Sequence, residues 1–132
     1  MNDLQSVLDL LQGPGEPMPG CALTVDEAHI YLREHFPRQA YCLVRDWIWL
    51  DLMMEDKHCI ALATTDRLPV MLYAHTVVYD SAGRWGAGDF VRTSPLHRFD
   101  EGGLFHTHRT IYVLMGPGLR KSVVPETVMR IV

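Results

Sequence analysis

GDFVRTSPLHRFDEGGLFHTHRTIYVLMGPGLRKSVV, residues Gly88 to Val124, sets the fold class of this chain. It reads as short strands separated by glycine turns. Asp89 to Thr93 is a strand, and Pro95 confines any continuation to a sheet edge, because proline cannot donate to a ladder. Asp100-Glu101-Gly102-Gly103 is a turn. Leu104 to Met115 is one long strand or two short ones. Gly116-Pro117-Gly118 suits a type II hairpin turn, after which Leu119 to Val124 returns as a strand. Strands this short can curl into a small SH3-like barrel, which limits exposed edges.

Upstream, Pro69 to Tyr79 (PVMLYAHTVVY) is the clearest strand, rich in Val and Tyr and closed by the turn cluster Asp80 to Gly83. Ala40 to Leu50 (AYCLVRDWIWL) is a dense apolar run. It reads as a strand buried on both faces, although a buried helix shows the same pattern. Between them, Asp51 to Arg67 is polar and holds a short helix near Glu55 to Ala63. Val128 to Val132 reads as a final short strand.

The N-terminal part has helical periodicity. Leu4, Val7, Leu8 and Leu11 form one stripe in a helix over Asn2 to Gln12, with Asn2 or Asp3 as its cap and Gly13 in the left-handed position that ends it. Gly13 to Gly20 (GPGEPMPG) has three prolines and three glycines in eight residues and reads as a strap without regular structure. Thr24 and Glu27 form a T-x-x-E capping box for a second helix, whose apolar face is Val25, Ala28, Leu32 and Phe36 and which Pro37 stops.

Helices first and closely spaced strands after them predict an α+β fold: two N-terminal helices packed on an antiparallel sheet. Residues 1–132 read as a single domain. The helical part is 1–37, with the strap at 13–20, and 40–132 is mainly antiparallel β.

Composition narrows the functional classes. Apolar residues make up 48% and charged residues 21%, which excludes a disordered chain. The formal net charge is -4, unlike that of a strongly basic nucleic-acid protein. Charge is uneven: residues 1–87 carry six Lys/Arg against twelve Asp/Glu, and residues 88–132 carry six against four. That gives a mildly basic β surface beside an acidic one. The three cysteines, Cys21, Cys42 and Cys59, lack metal-ligand spacing and read as free thiols in a reduced cytoplasm. There is no signal peptide pattern, and no apolar run approaches the roughly 20 residues that span a bilayer.

Several residues invite a chemical reading. His106 and His108 are two apart, so in one strand they share a face roughly 7 Å apart. They are metal candidates only if a third ligand joins them, from His75, His97, Asp100 or Glu101. Arg92 and Arg109, with Arg120 and Lys121, bring basic groups near Trp85, Phe90, Phe99, Phe105 and Tyr112. That is the basic-plus-aromatic pattern of single-strand nucleic-acid binding, and also the pattern of an ordinary barrel core with solubilising edges. Trp47 and Trp49, with Tyr41, form an aromatic stripe if this run is a strand. The stripe is core, or a binding hot spot where it is exposed. Arg45 and Asp46 interrupt the same run and need partners if buried.

Two resemblances follow from these segments. His108-Arg109-Thr110-Ile111 is similar to one half-motif of the 2H phosphoesterase family, which implies an acid or base histidine and a phosphate-binding hydroxyl. The second half-motif is missing. PVMLYAHTVVYDSAGRW and GDFVRTSPLHRFDEGGLFHTHRTIYVLMGPGLRKSV resemble a family of small uncharacterised proteins from bacterial genomes, prophages and mobile elements. That resemblance implies an accessory role against a host or defence component, and it assigns no catalytic residue.

The expected function is therefore a small non-enzymatic protein-binding module, without a cofactor or catalytic residues, located in the cytoplasm and not in a membrane. The alternatives are a nucleic-acid-binding barrel and a His-dependent metal or phosphoesterase-like hydrolase. A protein partner is favoured over nucleic acid, and an open strand edge or the Trp stripe would support a homodimer.

Overall fold

The computed structural model describes residues 3–131. Four helices and eight strands follow in the order α1 (Asp3–Gln12), β1 (Glu16–Met18), α2 (Val25–His35), β2 (Ala40–Leu52), α3 (Asp56–Ala63), β3 (Val70–Asp80), β4 (Val91–Arg92), β5 (Arg98–Asp100), β6 (Leu104–His106), β7 (Thr110–Leu114), β8 (Gly118–Val123) and α4 (Pro125–Val128).

β2 is the organising strand. β3 runs antiparallel along one edge of it, from Cys42↔Asp80 to Asp51↔Val70. Its other edge is shared. β7 pairs parallel with Ala40–Val44, and β8 pairs parallel with Ile48–Leu52. The sheet therefore forks. One arm continues as β7-β6-β5 and the other as β8-β1. The expected antiparallel sheet is thus mixed, and Gly116-Pro117-Gly118 is not a hairpin turn. β7 and β8 follow one another in the same direction along β2, with Gly116 at φ +68 in the offset between them.

The fork coincides with a slip in the side-chain alternation of β2. Asp46 has φ +52, and both it and Arg45 are exposed. A one-residue slip moves every later side chain to the other face. Cys42 and Val44 before the slip share a core with Trp47 and Trp49 after it, together with Leu72, Ala74, Val77, Phe105, Tyr112 and Leu114. On the opposite face, Tyr41 and Leu43 join Ala28 and Leu32 of α2, while Ile48, Leu50 and Leu52 join Leu10 of α1 and Val128 of α4. Tyr41 therefore lies on the face opposite Trp47 and Trp49, and the expected three-residue aromatic stripe does not form.

The sheet curls into a half-barrel in which the segment between β4 and β5 links the β3 side to the β6 side. Leu96 N–H donates to Val70 O on the β3 side, and the next residue, His97, donates to His106 O on the β6 side. A β-chain that changes partners within two residues must bend, and Pro95 stands beside that bend.

The capping box of α2 is present in both directions, Thr24 to Glu27 and back. α1 buries Leu10, with Val7 and Leu11 packed beside it, whereas Leu4 and Leu8 are exposed. Val7 and Leu11 of the expected stripe thus face the core, and Leu10 stands in it instead of Leu4 and Leu8. The proposed cap Asn2 lies outside the described residues. Gly13 is not among the left-handed residues and continues the helix bond to Asp9 O. The Gly/Pro strap does contain regular structure, since β1 pairs with β8. In place of the expected strand from Val128, Val128 ends a short helix that starts at Pro125, where the missing N–H costs nothing, and a turn follows it. Val132 lies outside the described residues.

Candidate functional site

The seven residues singled out for binding are not brought together. Trp47 is 1% exposed, its Nε1 donates to Gly116 O, and Gly118 lies flat against its ring. A Cβ at Gly118 would sit 2.3 Å from that ring, so the glycine is a packing requirement. Trp49 is buried against Phe99 and Phe105. Neither tryptophan offers a surface hot spot. Arg120 binds Asp51 through two nitrogens, at 2.6 and 3.1 Å, and stacks over Trp49. Lys121 is buried, and its amine donates to Leu10 O and to Gly13 O, capping the C-terminus of α1. Burial pulls the pKa of that amine below the usual lysine value. Arg120 and Lys121 are thus structural. Trp85 is half-buried under the Arg84 guanidinium, at 4.5 Å. Arg109 is exposed in the β6–β7 turn. Arg92 lies in β4, and its guanidinium contacts Met129 Sδ.

The two metal candidates separate as well. His106 is buried in β6, and His108 is exposed in the turn that follows. They share no strand face. His106 Nε2 pairs with Asp100 Oδ2 at 2.8 Å. Burial lowers the His106 pKa, with the Asp100 bond opposing, so the ring is neutral at neutral pH and donates to the carboxylate. His108 Nε2 meets Thr65 O at 2.7 Å, and its ring lies 4.5 Å from that of His97. Among the described residues no three His, Cys, Asp or Glu side chains are grouped to hold a metal. The hydroxyl of the phosphoesterase-like half-motif, Thr110 Oγ1, is buried and accepts from Arg84 Nη1.

That arginine belongs to a closed cluster at the end of β3. Arg84 makes three bonds to the Asp80 carboxylate, from its backbone N–H at 2.7 Å, Nε at 3.0 Å and Nη2 at 2.8 Å. Burial alone would raise the Asp80 pKa, but the Arg84 bonds and charge outweigh it and hold the carboxyl below its ordinary value. Cys42 and Tyr112 lie beside it, both pushed up to about 12 by burial. The Asp80 carboxylate and the Thr110 hydroxyl are both matched by Arg84 inside the protein, which marks the cluster as structural.

The middle of β3 is different. A groove of about 710 Å³ opens beside it, lined by Tyr73, His75, Trp85, Phe90, Arg92 and Ile131, with Gly88 and Asp89 at its rim. Phe90 is 42% exposed and stacks on Tyr73 at 5.8 Å. His75 stands edge-on to Tyr73 at 4.8 Å. His75 also lines a second depression of about 390 Å³, which reaches Asp46, Pro17 and Pro117 at the fork. The two share His75 in their linings. β4 pairs only with β3 among the described strands. Asp89 O accepts from Val77 N–H and Thr93 N–H donates to Leu72 O, so alternation turns the backbone groups of Phe90 and Arg92 outward.

Sequence reasoning did not assemble this site. Phe90 and Arg92 were visible as an aromatic and a base, but Tyr73 and His75 join them only through the β3–β4 register, Tyr73↔Arg92 and Ala74↔Val91. The same part of the chain carries the family match. The domain of unknown function DUF6957 matches residues 19–130. The chain belongs to the DUF6957 family. No curated protein and no solved structure matches it. No helix among the described residues is long and apolar enough to cross a membrane.

Proposed function

We propose that this DUF6957 protein is a non-enzymatic binding module that takes an extended segment of a protein partner along the β4 edge, over the groove beside β3. The observation that carries this reading is an aromatic groove next to an open strand edge. Phe90, Tyr73 and His75 supply pockets for side chains. The outward backbone groups of Phe90 and Arg92 offer a ladder that a peptide main chain can extend. Nucleic acid fits less well, because Asp89 lines the same groove as Arg92, Asp46 lines the depression that shares His75 with it, and Arg120 and Lys121 are committed elsewhere. An accessory role in a bacterial or mobile-element setting belongs to the same proposal and rests on the resemblance of the segments around Asp80 and after Gly88.

The test is selection of a random peptide display library on the wild-type protein, followed by titration of the selected peptides. Binding that weakens at least tenfold in Phe90→Ala supports the reading, since a central aromatic anchor is worth about 1–2 kcal/mol or more. Peptides that bind Phe90→Ala as tightly as wild type would refute it.

A further inference from the structure

We infer that β5 is a self-complementary edge on which a second copy of this chain pairs about a two-fold axis. β5 is only Arg98-Phe99-Asp100, and among the described strands it pairs with β6 alone. Phe99 is anchored inward, edge-on to the Trp49 ring at 4.9 Å. Arg98 and Asp100 therefore share the other face of the strand, with side chains 56% and 40% exposed.

In a two-fold antiparallel pair some residue must stand opposite its own copy. Centring on Arg98 sets guanidinium against guanidinium, and centring on Asp100 sets carboxylate against carboxylate. Centring on Phe99 places Arg98 opposite Asp100 of the second copy, twice. Opposite charges directly across a ladder stabilise it, and like charges destabilise it. The sequence of this edge thus allows one favourable register.

The charges are available for it. Within one chain Arg98 Nε is 3.5 Å from Asp100 Oδ1, loose beside the 2.8 Å of Arg84–Asp80 and the 2.6 Å of Arg120–Asp51. Asp100 Oδ2 is held by neutral His106, which fixes the carboxylate, while Oδ1 has the loose Arg98 contact and the side chain stays 40% exposed. Arg98 Nη2 comes only to 3.4 Å from the same imidazole. A cleft of about 470 Å³ lined by Leu23, Tyr31 and Leu104 adjoins Asp100 and adds apolar surface on that side. Three ladder residues and this cleft make a small interface, so the dimer is weak and concentration-dependent.

Sedimentation velocity from low micromolar to millimolar protein tests this. Wild type is expected to dimerise reversibly. Arg98→Asp and Asp100→Arg, each alone, are expected to weaken the dimer at least tenfold, and an equimolar mixture of the two is expected to restore it. Arg98 is exposed, so its variant decides the matter alone if Asp100→Arg fails to fold. Phe90→Ala leaves the dimer unchanged, which separates this inference from the β4 groove. A wild type that stays monomeric throughout, a dimer unaffected by Arg98→Asp, or a mixture of folded variants that stays monomeric overturns it.

Discussion

The two stretches of β3 put the same residue types to opposite uses. At its C-terminal end Asp80, Arg84 and Thr110 form a cluster joined by hydrogen bonds inside the protein, with Tyr112 beside it. In its middle Tyr73 and His75 lie beside Phe90 and Arg92 in an open groove, with strand backbone facing outward. An arginine next to an aromatic ring occurs in both places. What separates a structural from a functional reading is whether the charge and the backbone are already matched. Arg84 is, and the β4 edge is not.

Three substitutions probe that contrast, and the closed end gives the largest effect. Asp80→Ala leaves Arg84 without its carboxylate. Breaking a buried pair costs several kcal/mol, but the Arg84 side chain is 35% exposed and water screens it, so a loss of about 2 kcal/mol is expected in urea unfolding. A loss below about 0.5 kcal/mol, the range of an ordinary surface substitution, would place Asp80 among surface charges. Acid gives a smaller effect at the same site. The folded Asp80 pKa lies below its unfolded value of 3.8, so its contribution is complete above that value and is lost as pH falls through the folded pKa. Wild type should therefore lose stability on acidification more steeply than Asp80→Asn, and equal slopes would remove the carboxylate from the account. At the open end Phe90→Ala should change stability by less than about 1 kcal/mol, because the ring is only partly covered. A larger loss would move Phe90 into the core.

The contrast also explains how far the sequence could be read. Local signals were legible. Thr24 and Glu27 cap α2 as their spacing requires, and the β-branched and aromatic runs at Ala40 and Pro69 are strands. The resemblance to an uncharacterised family agrees with the DUF6957 match. Nonlocal pairing was not legible. Nothing in Thr110–Val123 announces that both of its strands run parallel to β2, since glycine and proline turns look alike in a hairpin and in an offset. The slip at Asp46 was equally hidden, because a single left-handed aspartate leaves no periodic trace, yet it decides that Tyr41 parts from Trp47. His106 and His108 followed strand spacing, but the chain turns between them. Pro125 was a helix-start signal that the apolar tail obscured. The groove needs Tyr73 and Phe90 side by side, a contact that only the β3–β4 register creates.

Amide chemical-shift mapping tests the binding reading most directly, using isotope-labelled protein titrated with the tightest peptide from the display selection. The account predicts perturbations concentrated at Tyr73, His75, Phe90 and Arg92, with little change at Asp80 and Arg84. Perturbations centred away from this groove, with Phe90 and Arg92 unmoved at saturation, would contradict it.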